Sequence, residues 1–217
     1  MPEYSPPAWA TARAAAVRPP VRLNPCTTAL VVIDMQNFFL DPAIPIAVPC
    51  GHALAGPVND LVAGLRATGC LIAWVQQGYG EEELARDRNR PVDAGTAFRA
   101  ALGIDQPGFA LSDRLEVGAD DLRVVKRTPS ALHPRSDCGL LGLLRDRGIE
   151  TVVIAGIETN VCCDTTARDA AQHGFRVCIA SDATAAMTDA EHEAALLNLA
   201  LWFADVRSSR ELIEMAR

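Results

Sequence analysis

Three places in the chain set a reactive side chain behind a short apolar run. Asp34 follows TALVVI, Lys126 follows LRVV, and the pair Cys162-Cys163 comes soon after TVVIAG. A carboxylate can accept a proton, an ammonium can hold that carboxylate ionised, and a thiolate is a strong nucleophile. Cys162, Asp34 and Lys126 together supply nucleophile, base and cation. Gly156 closes the fourth apolar run, and Thr159 and Asn160 are good helix N-caps, so Cys162 falls in the first turn of a helix. Free N–H groups and the helix dipole favour negative charge there and, with a nearby Lys, lower a thiol pKa; a carboxylate such as Asp34 raises it but can accept the proton. Taken singly, a strand-end Asp is commonly a turn residue and a helix-start Cys a small core residue. The conjunction carries the argument.

The lysine has a second claim. Of 20 basic residues, 19 are Arg and one is Lys. Where Arg serves almost every cationic position, the surviving Lys sits where a rigid, permanently charged fork does not substitute.

These residues need a frame that brings them together. TTALVVID (27–34), LIAWVQ (71–76), LRVVKR (122–127), TVVIAG (151–156) and RVCIAS (176–181) read as five buried strands. Helical spacing appears in 57–68, with Pro57 near the start and Gly69 past the end, and again in 137–147, 161–173 and 189–204, the last with Asp189 as N-cap. Strands alternating with helices predict an α/β three-layer αβα sandwich with a mostly parallel central sheet. Sites in such sheets form at the carboxyl ends of strands, where Asp34, Lys126 and Cys162 all lie. Residues 1–26, with prolines at 2, 6, 7, 19, 20 and 25, predict an extended N-terminal arm, and 27–217 one catalytic domain. Residues 78–95 read as a charged, Gly-punctuated loop able to act as a lid. A short helix near 94–102 and a turn at 106–108 follow.

A chain of 217 residues suits one domain with a real core. Its net charge of −7 is the wrong sign for a non-specific nucleic-acid binder or a polybasic membrane patch. No membrane span or signal peptide is expected. Seven cysteines leave at least one unpaired within the chain, which fits a reducing, cytoplasmic setting. A nucleotide-binding Rossmann protein is set aside because no Gly-x-Gly-x-x-Gly follows the first strand.

LVVIDMQNFF, the strand ending in Lys126 and AGIETNVCCDTTARDA resemble the isochorismatase-like cysteine hydrolases. That group includes nicotinamidases, N-carbamoylsarcosine amidases, ureidoacrylate amidohydrolases, and biuret and triuret hydrolases. The resemblance runs from about residue 27 to 206. It implies that Asp34 is the base, Lys126 its partner and Cys162, not Cys163, the nucleophile. It also implies a cis peptide between Ile157 and Glu158, with the backbone N–H groups of Glu158 and Cys162 forming an oxyanion hole. Homo-oligomers, dimers or tetramers, are common in such proteins. Nicotinamidases carry an Asp-x-His metal site after the first strand; the stretch DPAIPIAVPCGH lacks one, and His52 is isolated. No metal and no cofactor are therefore expected. Isochorismatases proper cleave a vinyl ether without this Thr-Asn-Val-Cys nucleophile, so the resemblance favours amide chemistry.

Around the inferred site stand Gln36, Asn37, Phe39, Trp74, Gln76, Gln77, Tyr79, Arg127, Glu158 and Asn160. A Glu158 carboxylate facing the pocket would suit an N–H-rich group such as a ureido or carbamoyl moiety; turned away, it would instead form a salt bridge. Arg127 would suit a substrate carboxylate or serve as an exposed structural Arg, and Trp74 reads first as a core residue. The expected function is hydrolysis of a C–N bond in a small ureido, carbamoyl or carboxamide compound through a thioacyl-enzyme. An amide hydrolase acting on a natural product or antibiotic is one alternative, and a non-catalytic scaffold subunit is another.

Overall fold

A computed structural model of the chain describes residues 4–44, 47–79 and 100–217. Six strands form one sheet: β1 (Thr28–Ile33), β2 (Leu71–Gln77), β3 (Leu122–Lys126), β4 (Thr151–Ile157), β5 (Arg176–Ala185) and β6 (Asp205–Arg207). Their order is β3-β2-β1-β4-β5-β6, and every neighbouring pair is parallel. β1 is central and wholly buried, which explains its unbroken apolar run.

Helices cover both faces, and a single-turn helix, α2 (Asn37–Leu40), follows β1. α3 (Gly51–Thr68) and α7 (Ser209–Met215) pack on one side, where Leu54, Leu61, Leu65 and Leu212 meet Leu30, Val32, Ile72 and Trp74. α4 (Leu140–Asp146), α5 (Asp164–Gln172) and α6 (Asp189–Trp202) pack on the other, where Leu144, Ala167 and Leu199 meet Val31, Ile33, Val75 and Ile154. Successive residues of β1 thus feed opposite cores, and each fully buried aliphatic side chain contributes about 1.5–3 kcal/mol. This is the three-layer sandwich expected from the alternation of elements.

Several local expectations change. The N-terminal arm is not extended throughout: Ala8–Val17 form a helix, α1, that packs along α6. Prolines 6, 7, 19 and 20 bracket that Ala-rich run rather than interrupt it, and Ala is the best helix former. Arg18 ties the arm down by donating to the carbonyls of Ala200 (2.8 Å) and Ala204 (3.0 Å). α3 starts at Gly51, ahead of Pro57, which lies inside it. Thr188, not Asp189, caps α6 and accepts from the Glu191 N–H. β6 was not anticipated; three residues are too short to show alternation. α7 was not anticipated either, although Ser208 and Glu211 form a capping box that the sequence spells out. The turn at 106–108 is a short 3₁₀ helix, Pro107–Phe109. The loop read over 78–95 lies outside the described residues apart from 78 and 79, and the helix expected over 94–102 is described only from 100, where 100 and 101 are helical.

Candidate active site

Asp34 is the first residue beyond β1. Its backbone is left-handed (φ 53°), a conformation Asp tolerates better than most residues, and its N–H donates to the Val75 carbonyl at 2.9 Å. The turn swings the carboxyl under the ends of β2 and β4. Gly156, at φ 106°, sits opposite Ile33 on β4; a Cβ there would collide with the Ile33 carbonyl oxygen. Glycine lets the two strands close at the point where both sides deliver site residues.

Lys126 ends β3, which is separated from β1 by β2. Two strand spacings, about 10 Å, must be crossed, and a long flexible stem can do it. The fully buried ammonium reaches Asp34 Oδ2 at 2.8 Å. It also donates to Gln77 Oε1 (2.6 Å), the Thr128 carbonyl (3.3 Å) and Cys162 Sγ (3.4 Å). An ammonium has three protons for these four acceptors, so the sulfur and the Thr128 carbonyl share the weakest claim.

Cys162 follows β4 through a cis peptide between Ile157 and Glu158 and a wide π-type turn, Thr159–Cys163. The Val161 and Cys163 N–H groups both donate to the Glu158 carbonyl, at 3.1 and 3.0 Å. Thr165 Oγ1 donates back to the Val161 carbonyl at 2.7 Å. The turn carries Cys162 to a half-buried position beside Asp34 and Lys126, whereas Cys163 is fully buried in the core. Two adjacent cysteines thus have different surroundings.

Burial decides between the opposing influences on the thiol. The Cys162 thiol is pushed up, not down, because burial outweighs the attraction of Lys126 and Asp34 adds repulsion. Lys126 is already matched by Asp34, so little of its charge is left for the sulfur. Burial also pushes the Asp34 carboxyl above its usual range, with Lys126 and the Cys162 thiol opposing. Burial pulls the Lys126 ammonium down, but Asp34 and Cys162 together outweigh it and its pKa rises. The 2.8 Å contact pairs the Asp34 carboxylate with the Lys126 ammonium, and burial favours the neutral form of the thiol beside them.

The remaining candidates divide sharply. Gln36 does not face a substrate. It is fully buried, donates to the carbonyls of Gln77 (3.0 Å) and Phe109 (2.9 Å), and accepts from the Gln77 N–H (2.7 Å). Gln76 is buried and donates to the Phe109 carbonyl at 2.8 Å. Trp74 belongs to the core on the α3 side, its indole donating to Asp121 Oδ2 at 2.8 Å. A parallel strand is apolar on both faces, so its sequence does not say which residues point where. Phe39 is buried against Phe38, edge to face at 5.2 Å. Exposed Asn37 donates to the Pro107 carbonyl at 3.3 Å.

Tyr79, Arg127, Glu158 and Asn160 are partly exposed at the strand ends. The Arg127 guanidinium donates to the Gly78 carbonyl at 3.4 Å. Burial, with Glu191 and Asp34 nearby, pushes the Glu158 carboxyl up. Asn160 Oδ1 is buried and accepts no hydrogen bond among the described residues. Gln77 turns out to hold the lysine: its Oε1 takes Lys126 Nζ and its Nε2 donates to the Lys126 carbonyl at 3.1 Å.

Thr159, read from the sequence only as a helix N-cap, and His192, which no sequence signal singled out, are joined by a buried 2.8 Å hydrogen bond behind the turn. A hollow of about 390 Å³ lined by Cys26, Arg66, Cys70 and Asp121 lies at the opposite ends of the strands and holds none of the candidates. Among the described residues, no group of three or more His, Cys, Asp and Glu side chains is placed to hold a metal, and no helix is long and apolar enough to cross a membrane.

Known proteins are similar to this chain in sequence and in fold. The isochorismatase domain model matches residues 28–211. Nicotinamidase 3 of Arabidopsis thaliana is 33% identical over 187 residues, covering 83% of this chain and 84% of that protein. Ureidoacrylate amidohydrolase RutB of Methylobacterium radiotolerans is 29% identical, covering 85% of this chain and 77% of that one. The crystal structure of a cysteine hydrolase from Pseudomonas syringae pv. phaseolicola superposes with a TM-score of 0.82 at 27% identity, covering 92% of this chain and 98% of that one.

Proposed function

The chain belongs to the isochorismatase family, and from that membership we propose a cysteine-dependent amidohydrolase that cleaves a C–N bond in a small ureido, carbamoyl or carboxamide compound. The observation that carries the reading is the buried contact of Lys126 Nζ with both Asp34 Oδ2 (2.8 Å) and Cys162 Sγ (3.4 Å). Similarity to proteins named as amidohydrolases and as a cysteine hydrolase supports it.

In the proposed reaction Asp34 removes the Cys162 proton as the sulfur attacks the substrate carbonyl. A raised carboxyl is a better base than an ordinary one, and a raised thiol gives up its proton only as attack proceeds. Lys126 stays protonated and faces both the carboxylate and the developing negative sulfur. The tetrahedral oxyanion is held by the N–H groups of Glu158 and Cys162; one such donor is typically worth about 10²–10³-fold in rate. Protonated Asp34 then gives its proton to the departing nitrogen. Water, deprotonated in turn by Asp34, hydrolyses the thioester and regenerates the thiol.

Glu158 and Asn160 set the substrate class. Both carry acceptor oxygens within four residues of the nucleophile in the chain, and the Asn160 oxygen has no hydrogen-bond partner among the described residues. An N–H-rich ureido or carbamoyl group supplies the missing donors. The test is ammonia release from ureidoacrylate, biuret, triuret, carbamoyl amino acids, maleamate and nicotinamide, with wild type and Cys162→Ala in parallel. Release from a ureido or carbamoyl compound that vanishes in the variant is expected. Equal release from both proteins refutes the cysteine mechanism, and release from nicotinamide or maleamate alone keeps the carboxamide reading but refutes the ureido preference assigned to Glu158 and Asn160.

A further inference from the structure

The turn that carries Cys162 is held at its two ends in different ways. Its far end is local: Thr165, one turn into the same helical segment, donates to the Val161 carbonyl at 2.7 Å. Its near end is held from another element. Thr159, fully buried, shares a 2.8 Å hydrogen bond with Nδ1 of His192, in the first turns of α6. His192 is itself 3% exposed, so this bond is sheltered from water. Thr159 lies between Glu158 and Cys162, the two residues whose N–H groups form the proposed oxyanion hole. Its side chain has no other hydrogen-bond partner among the described residues.

We propose that His192 is a positioning residue for the oxyanion-binding turn and acts through Thr159. The inference rests on the amidohydrolase reading. A π-type turn is rare and lacks the regular ladder that fixes an α-helix. A small shift of its backbone would move the Glu158 and Cys162 donors off the oxyanion while leaving the thiol in place. Burial holds the imidazole pKa below its ordinary range, opposed by the Ser181 backbone carbonyl and the charges of Asp189 and Glu193. The ring is therefore neutral and can keep one fixed hydrogen bond to the threonine.

Two reactions of the same cysteine separate this role from a general structural one. Amide hydrolysis develops an oxyanion; alkylation by iodoacetamide does not. His192→Leu is expected to lower kcat for ammonia release about 10- to 100-fold, a fraction of what removing an oxyanion donor costs. KM should stay within about three-fold, and the Cys162 alkylation rate within about two-fold of wild type. His192→Asn, whose amide can stand where Nδ1 stands, should recover most of the turnover. Thr159→Val should reproduce the loss and Thr159→Ser restore it, which decides the matter if His192→Leu does not fold. Turnover and alkylation falling in step, or turnover unchanged in both variants, overturns the inference. A wild type that releases no ammonia overturns the amidohydrolase reading first and this inference with it; an active wild type isolates the inference.

Discussion

Replacing Lys126 by Met removes one member of a buried ion pair and leaves the other. The two side chains are 0% and 2% exposed, so solvent does little to screen them. At an effective dielectric of about 20, opposite charges 2.8 Å apart attract by roughly 6 kcal/mol. Much of that offsets desolvation, and breaking such a pair from one side costs about 3–5 kcal/mol because a charge is left uncompensated. For a chain of this length the melting temperature should fall by about 6–20 °C.

The double variant Lys126→Met with Asp34→Asn carries no orphaned charge, and Asn tolerates the left-handed backbone at that position. It should be more stable than Lys126→Met alone. The lost bond to Gln77 is common to both proteins and cancels in the comparison. pH adds an independent check. Without Lys126 the Asp34 carboxyl rises further, so its folded pKa stands well above its unfolded value. Such a group contributes fully below the unfolded pKa, about 3.9, and its contribution is lost as pH rises through the folded value. The deficit of the single variant should therefore be small near pH 5 and grow toward pH 8. Thermal melts of the three proteins across that range make the measurement. A double variant no more stable than the single, or a deficit independent of pH, would refute the assignment of charge to this pair.

Gly156→Ala should cost well over 1 kcal/mol and deplete soluble protein, because φ 106° and the Ile33 carbonyl both exclude a Cβ; denaturant unfolding reads it. Gln77→Met removes the shortest hydrogen bond to Lys126 and should lower kcat about ten-fold while the far-UV circular dichroism stays unchanged, since the lost acceptor favours the charged lysine. Arg18→Ala removes two bonds to the end of α6 and should lower the melting temperature by about 2–6 °C without changing the KM for whichever substrate is turned over.

The frame of the site was legible because it is written locally. Apolar runs ending at Asp34, Lys126 and Gly156 mark strands buried on both faces, and parallel topology then gathers their carboxyl ends. The same double burial hid the direction of Trp74, since a strand apolar on both sides has no period to read. α1 was misread because its prolines were weighed and the alanines between them were not. Burial belongs to the folded chain, so the largest cause of the rise in the Cys162 thiol pKa was not legible; the sequence showed only Asp34 raising it against a helix start and a lysine lowering it. Thr159 and His192 are 33 residues apart, and nothing in either segment announces the bond between them. Gln36 and Gln77 were seen as polar groups near the site, but only the structure shows that they clasp the strand ends instead of meeting a ligand.

The chain's one lysine is also among its most deeply buried side chains. The folded protein therefore presents no side-chain amine to an acylating reagent, whatever its concentration. Amine-directed dyes and cross-linkers will leave the side chains of the native surface untouched. Lys126 becomes modifiable only when β3 opens, so the appearance of an acylated peptide spanning Lys126 times that opening. The residue that holds the site's charge in place thus doubles as a chemical clock for its unfolding, readable by mass spectrometry without any engineered probe.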